Sequence, residues 1–263
     1  MIRARNLVKA FGDLVAVRDI TFDVHEGEIF AFLGPNGAGK TTTIKILTTL
    51  LRPTSGRVEV DGLDPATDAT EVRRRFGIVF QDPSLDDELT AYENLELHAV
   101  LYHVPRPVRG DRIGRLLKLF ELWDRRGDRV KTFSGGMRRR LEIARALLHT
   151  PRILFLDEPT LGLDPQTRNQ LWSQVQALNV EERVTVFLTT HSMEEADRVA
   201  HRIAIIDHGR IVAQGTPAEL KEQTSSTTLE QAFLALTGTA VREEEASSLD
   251  QMRSMARMWR RRR

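Results

Sequence analysis

The stretch EIFAFLGPNGAGKTTTIKILTTLL, residues 28–51, joins three patterns that decide the fold. It opens with a continuous apolar run at residues 28–34, which is typical of a buried strand. A glycine-rich turn follows, and residues 40–51 then have the periodicity of a helix. A buried strand that passes through such a turn into a helix favours an α/β protein.

Further strands and helices are predicted on both sides of this stretch. Residues 2–24 alternate apolar and polar side chains around Gly12-Asp13, which predicts two antiparallel strands. More strands are predicted at residues 56–62, 76–80, 152–157 and 184–190, and a hairpin at residues 202–215 that turns at His208-Gly209. Between about residues 85 and 150 helical periodicity dominates. We therefore expect an α/β core that is interrupted by a helical insert.

The composition excludes several classes of protein. The chain has 263 residues, of which 41% are hydrophobic, so it can bury a substantial core. Lys+Arg number 38 and Asp+Glu 37, a balance that gives no support for a general nucleic-acid binder. There is no cysteine, which excludes disulfides, thiolate catalysis and cysteine zinc sites. No signal peptide is evident and no apolar run approaches the ~20 residues that span a bilayer, so any membrane role would need a partner.

Residues 34–41, GPNGAGKT, fit the phosphate-binding pattern G-x-x-x-x-G-K-[ST] in its required place between a strand and a helix. Backbone N–H groups of such a loop converge on phosphates, and the helix N-terminus adds favourable partial charge. Lys40 would reach the β- and γ-phosphates of ATP, and Thr41 would hold Mg²⁺. The alternative is a chance glycine-rich turn. The predicted nucleotide-binding residues are Gly34, Pro35, Asn36, Gly37, Ala38, Gly39, Lys40, Thr41 and Thr42.

The stretch RILFLDE, residues 152–158, supplies the complementary acidic groups. Its apolar run carries Asp157 to the end of a buried strand, where the carboxylate can bind the Mg²⁺ shell. Glu158 comes next and could polarise the water that attacks the γ-phosphate. In isolation the same two residues could be a helix-capping pair.

Ser134, Gly135 and Gly136 predict a second phosphate site at another helix start. Ser134 stands at the N-cap position, and the glycines leave the helix tip uncovered, so its N–H groups can face a γ-phosphate. An apolar stripe buries this helix, and the arginines that follow fall mostly off it. The stripe is Met137, Leu141, Ala144 and Leu148, and the arginines are Arg138, Arg139 and Arg140. Since one compact chain cannot easily place both sites on one nucleotide, we expect two chains head to tail.

Together these motifs resemble the nucleotide-binding subunit of an ATP-binding cassette (ABC) transporter, over roughly residues 2–216. The resemblance implies a P-loop NTPase (RecA-like) α/β core with an N-terminal antiparallel β subdomain, a helical insert subdomain and a short helical C-terminal extension. The expected divisions are residues 1–218 for the ATPase domain, about 85–150 for the helical subdomain and 219–263 for the extension.

The resemblance also assigns roles to four residues that would be unremarkable alone. Phe11 would stack on adenine, although by itself it would more often be core packing. Gln81 fits the Q-loop glutamine, which contacts Mg²⁺ and the water. Asp164, in LGLD, fits the D-loop and would act in trans with the serine–diglycine tip. His191 fits the switch histidine, where a lone histidine after a strand is usually a surface or capping group.

The chain departs from the family at the two ends of the signature motif, where Phe133 and Met137 replace the commonest leucine and glutamine. Methionine cannot make the hydrogen bonds of a glutamine amide, so turnover could change while the phosphate contact is kept. The segment SGGMRRRLEIARALL, residues 134–148, resembles the branch that includes bacterial drug- and antibiotic-resistance exporters.

The implied function is an ATP-binding and ATP-hydrolysing subunit, a homodimer or paired cassette closing around two ATP. It would drive a separate membrane permease from the cytoplasmic face of the cell membrane. Its cargo would be a hydrophobic drug, natural product or lipid. The alternative is a soluble ABC ATPase acting on nucleic acid or the ribosome; that kind usually carries long inserts or fused cassettes, and we expect no nucleic acid here. The arginine cluster at residues 253–263 is either a contact for anionic lipid or a frayed tail.

Overall fold

The strands lie where the apolar runs predict them. The structure, a computed structural model, describes residues 1–238. Its strands are β1 (Ile2–Phe11), β2 (Leu14–Val24), β3 (Ile29–Leu33), β4 (Ser55–Val60), β5 (Phe76–Val79), β6 (Ile153–Asp157), β7 (Thr185–Thr190), β8 (Arg202–Asp207) and β9 (Arg210–Gly215). Both predicted hairpins, β1–β2 and β8–β9, are confirmed.

The strands form two sheets. The smaller is antiparallel, with the order β2-β1-β4. The larger has the order β5-β6-β7-β3-β8-β9. Its first five strands in this order, including β3, are parallel, and β9 pairs antiparallel with β8 at the edge. Since β5, β6, β7 and β3 are parallel neighbours, the segments that follow them emerge at one edge of the sheet.

β3 separates two apolar cores, which explains its continuous apolar sequence. Ile29, Ala31 and Leu33 lie in one core, and Phe30 and Phe32 lie in the other. None of these five residues is more than 1% exposed. A strand that is covered on both faces needs apolar side chains at every position rather than at alternate ones.

The helices divide between these two cores. Side chains of the first two helices contribute to the core of the smaller sheet, and the later helices cover the other face. The helices are α1 (Lys40–Leu47), α2 (Ala69–Arg75), α3 (Ala91–Leu101), α4 (Arg106–Leu119), α5 (Gly135–Leu147), α6 (Pro165–Glu182), α7 (Met193–Val199), α8 (Pro217–Gln223) and α9 (Leu229–Thr237), with single 3₁₀ turns at Trp123–Arg125 and Val130–Thr132.

The predicted helical insert is occupied by α3, α4 and α5. α1 is shorter than predicted, because Thr49 adopts a left-handed backbone (φ 68°) and the helix ends at Leu47. α9 packs on the larger core through Leu229, Ala232 and Phe233.

Within residues 1–238, no helix is both long and apolar enough to cross a bilayer. The arginine cluster at residues 253–263 lies outside the described residues.

Candidate active site

The glycine-rich loop between β3 and α1 is shaped around Gly39. This residue is the N-cap of α1 and has a left-handed backbone, with φ 104°. A Cβ atom there would lie 2.6 Å from the carbonyl oxygen of Ala16, so only glycine fits. α1 has neither a side-chain cap nor an acidic residue in its first turn, so within residues 1–238 no side chain caps its terminal N–H groups. The loop can therefore offer these donors to a phosphate.

Lys40 occupies the centre of this loop and is only 6% exposed. Its ammonium donates to the carbonyl oxygens of Gly34, at 2.7 Å, and Pro35, at 3.1 Å. It also lies 3.0 Å from Oε1 of Glu158, as an ion pair rather than an aligned hydrogen bond. The structure thus brings the predicted phosphate-binding lysine and the predicted water-activating carboxylate into direct contact.

Asp157 ends β6 beside β7 and faces α1. Its Oδ1 accepts hydrogen bonds from the hydroxyls of Thr189, at 2.5 Å, and Thr41, at 3.3 Å. Burial raises the pKa of Asp157, and the two hydroxyls oppose that change. Thr189 was not predicted as a site residue. The signal was available, since it is one of the few polar residues in the otherwise apolar run 184–190.

These oxygens suit Mg²⁺ bound together with phosphate. Mg²⁺ prefers oxygen ligands and is usually held by one or two protein groups plus waters and substrate phosphates. Thr41 and Asp157 supply a hydroxyl and a carboxylate at one point, next to the phosphate loop. Residues 1–238 contain no cluster of three or more histidine or acidic side chains that could cage a metal on its own, so the fit is to a shared, substrate-dependent site.

Glu158 is held from two sides. His191 Nδ1 lies 2.8 Å from its Oε2, and Lys40 contacts the other oxygen. Burial opposes ionisation, but the hydrogen bond with His191 and the Lys40 charge outweigh it and lower the pKa of Glu158. The same hydrogen bond raises the pKa of His191. Both shifts favour an ionised Glu158 carboxylate next to a protonated His191 imidazole.

Two more of the residues predicted for this chain's own nucleotide pocket are accessible. Gln81 is exposed, two residues past β5, on the sheet edge that also carries Asp157. Phe11 ends β1 with 43% of its surface exposed, and the Lys9 ammonium lies 4.9 Å from its ring centre. Their contacts with a nucleotide stay predictions.

The serine–diglycine tip has the predicted N-cap. Ser134 accepts a hydrogen bond from the Met137 N–H at 3.3 Å, and Gly135 borders open space. The tip rests against the start of α6, because Gly136 closely approaches Thr167. Thr167 donates through its N–H and its hydroxyl to Asp164, the N-cap of α6, at 2.9 and 2.7 Å. The two segments predicted to act in trans thus form one surface.

The covered surface of α5 is wider than the predicted stripe. Leu141, Ala144 and Leu148 are buried, as the stripe requires, but Arg139 is buried as well, at 7% exposure. Its side chain points to the segment after β5, so α5 is covered on more than one face.

Comparison with known proteins decides the family. Residues 17–161 match the protein family described as ABC transporter. The chain belongs to the ABC transporter family. The ABC protein named daunorubicin/doxorubicin resistance ATP-binding protein DrrA, from Streptomyces peucetius, is 46% identical over 228 residues, 87% of this chain and 69% of that protein. The linearmycin resistance ATP-binding protein LnrL of Bacillus subtilis (strain 168) is 41% identical, covering 84% of this chain and 70% of LnrL.

A solved ABC structure agrees with the fold. It is the dimeric structure of a post-hydrolysis state of the ATP-binding cassette MJ0796, bound to ADP and Pi. It superposes with a TM-score of 0.74 at 30% identity, over 82% of this chain and 98% of that chain. The predicted P-loop NTPase fold is confirmed, and the chain is an ATP-binding ABC ATPase.

Proposed function

We propose that this ABC ATPase hydrolyses ATP between two copies of the cassette and thereby drives a separate membrane permease. The observation that carries the proposal is the junction of Lys40, Thr41, Asp157, Glu158 and His191 at one edge of the parallel sheet. It joins phosphate-binding groups to an ionised carboxylate that can orient the attacking water.

The chemistry follows from the contacts. When ATP enters, the Lys40 ammonium exchanges the carbonyls of Gly34 and Pro35 for phosphate oxygens. The Lys40 ammonium also leaves its ion pair with Oε1 of Glu158, and the released carboxylate orients the attacking water and accepts its proton. His191 keeps the Glu158 carboxylate oriented and would help to position the γ-phosphate. Gln81, at the same edge, would contact the water and the metal.

Mg²⁺, held by Thr41, Asp157 and Gln81, would offset the charge of the β- and γ-phosphates. The existing Thr41–Asp157 hydrogen bond keeps both oxygens at the point where a phosphate-bound ion is expected. Thr189, on β7, donates to the same carboxylate oxygen and helps to hold it in place.

The second copy would complete the pocket through its serine–diglycine tip. Gly135 borders open space, so a phosphate can approach the backbone N–H groups at the start of α5. The solved dimer of MJ0796 supports pairing of such cassettes. ATP closes the pair only by binding the closed state more tightly, and about 5.5 kcal/mol of differential binding moves a pair from mostly open to mostly closed.

The permease would dock on the helical insert, and the ATPase would then lie at the cytoplasmic face of the membrane. α3 exposes Leu97, Val100 and Leu101, which are 50%, 47% and 64% exposed. Such a contiguous apolar surface beside the segment after Gln81 suits a helix of the permease. The names of the similar proteins, which refer to resistance to daunorubicin, doxorubicin and linearmycin, favour export of a hydrophobic drug or natural product.

The proposal is tested by transport. The chain is co-expressed with a candidate multi-span permease, and ATP-driven uptake of fluorescent doxorubicin is measured in inverted vesicles. We expect uptake with the native chain and none with Lys40→Ala. Lys45→Ala, on the same helix but without a contact to the phosphate loop, is the matched control. Equal uptake by Lys40→Ala would contradict the proposal. If ATP hydrolysis is intact but doxorubicin is not moved, the cargo class is wrong and the motor is retained.

A further inference from the structure

Arg139 lies where three segments of the active site meet. One of its terminal nitrogens, Nη1, donates to the carbonyl oxygen of Phe80 at 2.6 Å and to Oε2 of Glu142 at 3.1 Å. The other, Nη2, donates to the carbonyl oxygens of Gln81, at 3.2 Å, and Glu158, at 3.5 Å. A single guanidinium on α5 therefore contacts the backbone of both residues to which we assign work on the attacking water.

Glu142 extends this connection along the segment after β5. It lies one turn after Arg139 on α5 and is 2% exposed. Its second oxygen accepts the Ser84 N–H at 2.8 Å. The pair thus fixes both ends of residues 80–84, Arg139 at the start and Glu142 at the end.

The backbone of Glu158 needs such support. It adopts a left-handed conformation, φ 48°, which is uncommon for a residue with a side chain. Its N–H donates to the carbonyl oxygen of Thr189 at 3.1 Å, and its own carbonyl accepts from Arg139 and, at 3.3 Å, from Leu161. Uncommon backbone conformations persist where the surroundings determine them from several directions. Arg139 is one of those determinants.

We propose that Arg139, held by Glu142, is a positioning residue that fixes Gln81 and Glu158 relative to each other for hydrolysis. The proposal rests on the function proposed above, in which these two residues act on the attacking water. It adds that α5, whose tip would contact the neighbouring copy's nucleotide, holds the backbone of the chain's own hydrolytic residues. Movement of α5 on closure would then be transmitted to that chain's own water-activating groups.

A contribution to stability alone would not explain this choice of residues. Burial lowers the pKa of Arg139 and raises that of Glu142, so both charges are held against desolvation. Replacing a buried ion pair by apolar side chains of similar size is often neutral or stabilising. What apolar side chains cannot supply is the planar guanidinium fork, which can donate to several acceptors at once. Lysine offers only a point charge and cannot reproduce this arrangement.

The chain offers a matched control one residue away. Arg138 precedes Arg139 on α5 and pairs with Asp87 at 2.8 Å, but its side chain is 27% exposed. Neither Arg138 nor Asp87 contacts the backbone of Gln81 or Glu158 in the described hydrogen bonds. Loss of a charge from α5 as such is therefore tested by Arg138→Met.

The experiment compares the full-length chain with the double variant Arg139→Met/Glu142→Met, with Arg139→Lys and with Arg138→Met. Steady-state ATP hydrolysis, ATP affinity, Tm and hydrogen exchange of the Ser84 amide are measured for each. We expect the double variant to bind ATP with unchanged affinity and to lose roughly 10- to 100-fold in kcat, as for a small misplacement of reacting groups. Its Ser84 amide should exchange faster. Arg139→Lys should lie between the double variant and the native chain, and Arg138→Met should match the native chain.

Two outcomes would overturn the proposal. One is a folded double variant with the native kcat. The other is a loss of kcat that is accompanied by a loss of ATP affinity and a lower Tm, which would indicate that the pair has only a structural role. If the double variant does not fold, Arg139→Lys, which keeps a cation beside Glu142, decides by the same criteria. Glu158→Gln is measured in parallel. If this variant hydrolyses ATP at the native rate, the proposed role of Glu158 itself is wrong. If it loses hydrolysis while the double variant keeps the native rate, only the proposed role of Arg139 is wrong.

Discussion

At the scale of single residues, the account depends most on Glu158. We predict that Glu158→Gln keeps ATP binding but lowers hydrolysis by about 10²–10³-fold, the usual loss when one preorganised charge-stabilising group is removed. The amide retains the shape of the side chain but cannot accept the proton of water. Phosphate release and nucleotide binding are measured together. Glu194→Gln, an exposed site on the neighbouring helix α7, is the control. Native turnover by Glu158→Gln would exclude this carboxylate as the base.

The His191–Glu158 contact predicts a specific pH dependence of stability. The pKa of His191 is raised, so its contribution is complete below the ordinary value of 6.5 and is lost as pH rises through the raised pKa. The pKa of Glu158 is lowered, so its contribution is complete above 4.5 and is lost as pH falls through the lowered pKa. The deficit in Tm of His191→Ala should therefore be largest between 4.5 and 6.5 and shrink on either side.

Thermal unfolding at pH values below, within and above the range 4.5 to 6.5 measures the deficit. His25→Ala, which removes an exposed histidine in the turn before β3, is the control. A deficit for His191→Ala that is independent of pH would mean that the contact contributes nothing through ionisation.

The sequence predicts the residues that lie on local motifs and misses the residue whose contacts are long-range. Lys40 and Asp157 follow from a glycine-rich loop and from the end of an apolar run. Arg139 does not, because a stripe argument assumes that a helix has one covered face. α5 is covered by the sheet on one face and by the segment after β5 on another, and only the tertiary structure reveals the second cover.

At the scale of secondary-structure elements, the two glycines at the start of α5 should behave differently. Among the described residues, no atom lies within 4 Å of a Cβ at Gly135, whereas a Cβ at Gly136 collides with the methyl group of Thr167. We predict that Gly135→Ala keeps the native Tm but weakens ATP-dependent pairing, because the methyl group occupies the space assigned to the neighbouring copy's phosphate. Gly136→Ala should lower Tm, because Thr167 must move and its bond to Asp164 is disturbed.

Tm and ATP-dependent mass by light scattering distinguish these effects. Each variant is the control for the other, since both add one methyl group to adjacent positions. Full ATP-dependent pairing of Gly135→Ala would show that the open space at the helix tip has no partner.

The sequence locates buried strands to within one or two residues, but it does not indicate α6. The strands are short apolar runs, whereas α6 carries polar residues on its covered face, with Gln174 and Asn179 only 7% and 6% exposed. Asn179 donates to the carbonyl oxygens of Gly27 and Val184, both of which lie outside α6. Polar residues that find such partners break the apolar periodicity on which the prediction of a helix depends.

At the scale of the whole molecule, the two phosphate-binding regions lie at the starts of different helices, α1 and α5. The sequence predicts both regions and, from their number, a pair of chains. The fold adds that the α5 tip and Asp164 form one surface through Gly136 and Thr167. It also adds that α5 is tied to the chain's own active site by Arg139. The cargo cannot be predicted from these residues, because none of them would touch it.

The most direct test of this pairing is complementation between two inactive variants. Lys40→Ala disables the loop of a chain, and Gly135→Asp places a negative charge at its α5 tip. Either variant alone should neither pair nor hydrolyse ATP. Since neither variant pairs with itself, the pairs that form in an equal mixture are mixed, and each contains one native loop facing one native tip. We predict recovery of ATP-dependent pairing and hydrolysis toward about half of the native rate, as expected for a two-fold symmetric pair with independent sites of which one is intact. A mixture no more active than its separate components would contradict the claim that each ATP lies between two chains.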